Sequence, residues 1–209
     1  MVLQSSELKF SYPSQEALEF PDVNLHRGET ALLLGPSGSG KSTLLNLLAG
    51  LQELQQGSIE GLGQSLKELN PRQLEKFRAK HYGLVFQKSY FLPYLSLEDN
   101  LLLAARYQGH KPNLQKIHQL FKDLGIYNLR HKKPAVCSIG EQQRASIARA
   151  LMHEPPILLA DEPSSALDDK NADLVASLLI ELCEKHQSAL LIVTHDARLK
   201  SKISKSYNL

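Results

Sequence analysis

The chain has 209 residues, 42% hydrophobic and 22% charged, which suits one compact globular unit. Its net charge of +2 leaves no electrostatic case for nucleic acid, and no apolar run is long enough to span a membrane. The first residues lack the basic and apolar segments of a secretory signal, and Cys137 and Cys183 are too far apart for a C-x-x-C pair, which points to a reducing compartment.

In chain order, residues 8–12 and 23–25 read as strands on either side of a turn-prone stretch. The apolar run 30–34 is a third strand. It leads into a glycine-rich loop and then into a helical run from Thr43 to Ala49. Residues 58–60 form a short strand before a glycine turn. Asn70 caps a helix that carries Pro71 at its first position and ends near Lys80. Residues 82–86 are the next strand.

From Ser96 onward the periodicity is helical. Ser96 caps a helix with Leu97, Leu101, Leu102 and Ala105 on one stripe. Ile117, Leu120, Phe121 and Leu124 make a second stripe, closed by Gly125, and a third helix runs from near Ser138 to His153. Pro155 and Pro156 stop it. Residues 157–160 and 189–193 are continuous apolar runs of the kind that parallel strands buried on both faces require, with a helix over 169–186 between them. Strands alternating with helices predict an α/β fold with a mostly parallel sheet.

Gly35-Pro36-Ser37-Gly38-Ser39-Gly40-Lys41-Ser42 matches G-x-x-x-x-G-K-[ST] at every fixed position, between a strand and a helix. Glycines turn backbone N–H groups inward with no Cβ in the way, and the following helix N-terminus adds a partial positive charge. Lys41 is positioned to reach β- and γ-phosphates and Ser42 to ligate Mg²⁺. Asp161 and Glu162 close the 157–160 strand, at the sheet edge where α/β folds place ligand chemistry. One acid there can hold the metal and the other can activate water. His195 follows the 189–193 strand and Gln87 follows the 82–86 strand, so both point to the same edge.

Along essentially its full length the chain resembles the nucleotide-binding subunit of an ABC transporter. The resemblance implies a P-loop NTPase sheet with an antiparallel β subdomain and an inserted helical subdomain. Residues 1–87 and 154–209 form the nucleotide-binding core and 88–153 the helical part of one domain. It further implies Gly35 to Ser42, with Thr43, as Walker A, Gln87 as the Q-loop glutamine and metal ligand, and residues 158–162 as Walker B. Asp161 is then a metal ligand, Glu162 the general base and His195 the switch histidine. Tyr12 falls where the family stacks an aromatic on adenine, and Asp168 belongs to a D-loop, Ser165-Ala166-Leu167-Asp168.

The family's Leu-Ser-Gly-Gly-Gln/Glu signature stands here as Cys137-Ser138-Ile139-Gly140-Glu141. Ser138 and Gly140 match, whereas Ile139 replaces a glycine, which would crowd the nucleotide or strain a glycine-only backbone angle. Leu45 to Leu51, Gly83 to Gln87, Phe91-Leu92-Pro93 and Leu159 to Pro163 look like the bacterial branch of lipoprotein-release, macrolide-efflux and cell-division ATPases. Tyr90, Phe91, Leu92 and Tyr94 then either line a groove for a partner helix or belong to the core.

The expectation is an ATPase using ATP and Mg²⁺. It works as a head-to-tail homodimer with an integral membrane permease, cytoplasmic and peripheral on the inner membrane, with no nucleic-acid partner. The alternatives are an ATP-gated clamp with little turnover and a soluble non-transport ATPase of the same family.

Overall fold

The computed structural model describes residues 1–14, 16–107, 109, 111–165, 167–194 and 197–209. In chain order its strands are β1 (Leu3–Phe10), β2 (Leu18–Glu19), β3 (Asn24–Leu25), β4 (Thr30–Leu34), β5 (Gln56–Gly61), β6 (Gln64–Ser65), β7 (Tyr82–Val85), β8 (Ile157–Asp161), β9 (Ala189–Val193) and β10 (Lys205–Asn208). Its helices are α1 (Lys41–Leu48), α2 (Pro71–His81), α3 (Leu97–Tyr107), α4 (Leu114–Asp123), α5 (Ile139–Leu151), α6 (Asp169–His186) and α7 (Ala197–Lys202).

Two sheets result. An antiparallel one runs β2-β1-β5-β6 with β3 also on β1, and an all-parallel one runs β10-β4-β9-β8-β7. Each central strand of the parallel sheet divides its side chains between two cores, because successive residues point to opposite faces. Leu32, Val85, Leu158, Ala160, Leu190 and Ile192 pack against residues from α3 to α7. Ala31, Leu33, Ile157, Leu159, Leu191 and Val193 pack against α1 and the antiparallel sheet. Burial on both faces explains the unbroken apolar runs. Helices α3, α4 and α5 form no separate core. Leu101, Phe121 and Ile147 join the same cluster as the sheet residues Val85 and Leu158.

The strand before the glycine loop and the helix over 169–186 have the predicted bounds. Asn70 caps α2 with a full capping box, its side chain accepting from the Gln73 N–H.

Several boundaries differ. β1 begins at Leu3 rather than Leu8 and stops at Phe10, because Leu3 pairs with both Leu25 and Gly61 and is fully buried despite its polar followers. It also carries an irregularity between Ser6 and Lys9. There Glu7 has φ +53°, and Gly57 opposite has no room for a Cβ, which would lie 2.5 Å from the Ser6 carbonyl oxygen. The predicted turn contains β2. Strand β7 ends at Val85, so Phe86 lies outside it. The third predicted helix stops at Leu151 rather than running to His153. Helix α7 and strand β6 carry too little periodicity to be read from sequence.

The loop before α3 is organised by one buried side chain. Asn100, 6% exposed, accepts from the Leu92 N–H at 2.8 Å and donates to the carbonyls of Leu92 and Ser96 at 3.1 and 2.9 Å. Tyr90, Leu92 and Tyr94 around it are solvent-exposed, whereas Phe91 packs on the core. Asn100→Ala strands these backbone groups, so the unfolding free energy should fall by about 2 kcal/mol. Urea denaturation checks this, and a loss below about 0.5 kcal/mol would contradict the assigned role.

Candidate functional site

The parallel register sets the geometry. Leu33 and Asp161 both pair with Val193, and Val85 pairs with Ala160, so the C-terminal ends of β4, β7, β8 and β9 lie at one level. Everything that follows these strand ends faces a common edge.

The loop after β4 turns into α1 through Gly40, the N-cap residue, at φ +95° with no side-chain cap. A side chain is excluded there twice over: the angle is left-handed, and a Cβ would lie 2.9 Å from Leu18 Cδ1. The first amides of α1 are therefore capped by no side chain, which makes the helix start a ready anion site. The Lys41 side chain is nearly buried. Its Nζ donates to the carbonyls of Gly35 and Pro36 at 2.9 and 2.7 Å, bridging the loop from inside. Ser39 Oγ is buried with no hydrogen-bond partner.

A cavity of about 430 Å³ opens over this loop. Ser37, Gly38, Gly40, Lys41, Ser42 and Thr43 line it from the loop side, and Gln87 and Glu162 from two other strand ends. Tyr12 and Leu18 close the remaining wall. The Tyr12 hydroxyl hydrogen-bonds Thr43 Oγ1 at 3.0 Å, and its ring meets Phe10 edge-on at 4.9 Å. Gly35 and Pro36 stand outside the lining but hold Lys41.

Asp161 is under electrostatic stress. Burial pushes the Asp161 carboxyl above its ordinary range and the neighbouring Glu162 charge adds to this, while a hydrogen bond from Ser42 and the Lys41 charge oppose it. Asp161 Oδ1 is buried with no hydrogen-bond partner. Glu162 sits at φ +43°, a strained angle for a residue with a side chain, held by its N–H bond to the Val193 carbonyl at 2.9 Å.

Gln87 Nε2 donates to Ser165 Oγ at 3.1 Å and approaches Glu162 Oε2 at 3.5 Å. Ser165 Oγ in turn donates to the Glu162 carbonyl at 3.1 Å. Ser165 is the linking residue that sequence reasoning passed over. It stood inside the quoted D-loop, and nothing in its spacing marked it. Leu18 was lost with β2.

Five other expected residues, Ser39, Asp161, Ser138, Gly140 and Asp168, are not among those lining this cavity. Ser138 caps α5 in a capping box with Glu141, Gly140 lies in the first turn of that helix, and Asp168 caps α6 by accepting from the Asn171 N–H at 3.1 Å. Ile139 opens α5 in helical conformation, so no glycine-only angle is strained there, and its side chain is 59% exposed. His195 lies outside the described residues.

The ABC transporter family pattern matches residues 18–165. The chain is 39% identical over 201 residues to the bacitracin export ATP-binding protein BceA of Halalkalibacterium halodurans, covering 93% of this chain and 79% of BceA. It is 36% identical over 214 residues to the lipoprotein-releasing system ATP-binding protein LolD of Alcanivorax borkumensis, covering 100% of this chain and 94% of LolD. Among solved structures, the ATP-binding cassette MJ0796, in a dimeric post-hydrolysis state bound to ADP and Pi, superposes with a TM-score of 0.86 at 28% identity. That match covers 99% of this chain and 94% of the cassette. The fold and these similarities agree, and the chain belongs to the ABC transporter family, as an ATPase of the LolD and BceA type.

Proposed function

We propose that the chain hydrolyses ATP in this cavity to drive an integral membrane permease, as a transporter subunit related to the lipoprotein-release systems. The observation that carries the proposal is the meeting of Lys41 and Ser42 with Gln87 and Glu162 in one cavity. On binding, the Lys41 ammonium exchanges its two loop carbonyls for β- and γ-phosphate oxygens. Thr43 and the open α1 amides hold the phosphates, while the Tyr12 ring faces the base. Glu162 takes the proton from the attacking water, which Gln87 orients, and His195 is assigned to sensing the γ-phosphate.

The residues present fit Mg²⁺. The partnerless Asp161 Oδ1 and the Ser42 hydroxyl are hard oxygen donors, with Gln87 as a third. No cluster of three or more acidic, His or Cys ligands exists among the described residues. When bound, the ion supplies charge neutralisation at the phosphates.

Ser138, Gly140 and Asp168, outside the cavity lining, are assigned to the nucleotide of a second copy in a head-to-tail homodimer. Attachment to the cytoplasmic face of the inner membrane is assigned to the permease partner; among the described residues no helix is long and apolar enough to cross a membrane. The exposed Tyr90, Leu92 and Tyr94 are candidates for that contact. The side chain of Ile139, exposed beside Ser138, favours a second reading, an ATP-gated clamp with slow turnover. Phosphate release measured against ATP affinity separates the two.

Glu162→Gln keeps shape and hydrogen bonding but removes the base. Phosphate release should fall by about 10² or more while a fluorescent ATP analogue still binds, and an ATP-stabilised dimer should accumulate on size-exclusion chromatography. Hydrolysis at the parental rate would place the base elsewhere.

Asp161→Asn removes a buried charge that the ligand-free protein stabilises poorly. Its ligand-free melting temperature should rise by about 2–4 °C, while the further rise on adding Mg·ATP disappears. A lower ligand-free melting temperature with the Mg·ATP shift intact would contradict both parts.

A further inference from the structure

The Gln87 segment has no strand to hold it. β7 is the outermost strand of the parallel sheet and ends at Val85, and residues 86–90 are irregular. What holds it is α5. The Gln143 side chain, 3% exposed, uses both ends of its amide on this segment: Nε2 donates to the Phe86 carbonyl at 3.2 Å and Oε1 accepts from Ser89 Oγ at 3.0 Å. The two bonds bracket Gln87. Six residues along the same helix, Arg149 donates to the Tyr90 carbonyl and lies over the Phe91 ring, 4.7 Å from its centroid.

A buried amide is costly unless its hydrogen bonds are made, and both bonds here go to the loop that carries Gln87. Beyond the clamp, Gln87 reaches Ser165 Oγ, which holds the Glu162 carbonyl. The position of Gln87 over the acidic pair is thus tied to the seating of α5.

We propose that Gln143 is a positioning residue for ATP hydrolysis, clamping the loop at Phe86 and Ser89 so that Gln87 stays in register with Glu162. This rests on the roles given above to Gln87 and Glu162. Gln143 does not line the cavity over the phosphate loop, so its loss should act on turnover and not on binding.

The test uses the purified full-length chain and steady-state phosphate release with Mg·ATP. Gln143→Met keeps the volume and removes both bonds. It should lower kcat about tenfold, with KM for ATP changed less than about twofold. In a Gln87→Ala background the same substitution should have no further effect, because the clamped group is gone. Ser89→Ala, which deletes one bond from the loop side and leaves α5 untouched, should show the same pattern with a loss of about threefold.

Parental kcat in both single variants would overturn the proposal, as would a Gln143→Met loss that is fully retained in the Gln87→Ala background. Glu162→Gln, measured in parallel, separates the two possible failures. If it is inactive while the clamp variants are parental, only the clamp is wrong. If it hydrolyses ATP like the parent, the assignment of the base is wrong.

Discussion

Parallel pairing in register is the constraint on which the rest depends. Four strands end at one level because Leu33 and Asp161 share Val193 as partner and Val85 faces Ala160. A slip of one residue in β8 would turn Asp161 away from Ser42 and hand Leu158 and Ala160 to the core that is packed around Ile157 and Leu159. The double core forbids that slip. Every residue of β8 from Ile157 to Ala160 is fully buried, so the hydrophobic effect that builds the sheet also aims the carboxylates.

The site carries unfavourable terms that the scaffold supports. Asp161 is a carboxyl raised by burial with one oxygen unmatched, Glu162 holds a left-handed backbone angle, and Lys41 is folded back on its own loop. Such strain is tolerable only on a rigid support, and α1, with Leu44, Leu45, Leu47 and Leu48 buried, supplies one under the loop.

How much was legible follows from what each signal measures. The loop, the acidic pair and the buried strands were legible because fixed residue types and unbroken apolar runs state local requirements directly. β2 and β6 were not, since two residues of mixed polarity show no period and take their form from the strands they pair with, β1 and β5. The bulge at Glu7 was hidden for the same reason: only the pairing with Gly57 requires it. In the site, Lys41, Ser42, Gln87 and Glu162 lie together where their strand-end positions placed them. The roles of Ser165 and Gln143 were invisible, since a serine in a turn and a glutamine in a helix carry no pattern until the hydrogen bonds are seen. The departure at Ile139 was visible, but its meaning changed once the residue proved helical.

The splitting of each central strand between two cores makes the parallel sheet a partition wall. The phosphate loop and α1 stand on one side of it, and α3, α4 and α5 on the other. Tilting the helical side would repack Val85, Leu158 and Ala160 and leave the Leu33, Leu159 and Val193 face undisturbed, so the wall insulates one compartment from the other. News of a tilt would have to travel around the rim, and the loop that turns the corner there carries Gln87.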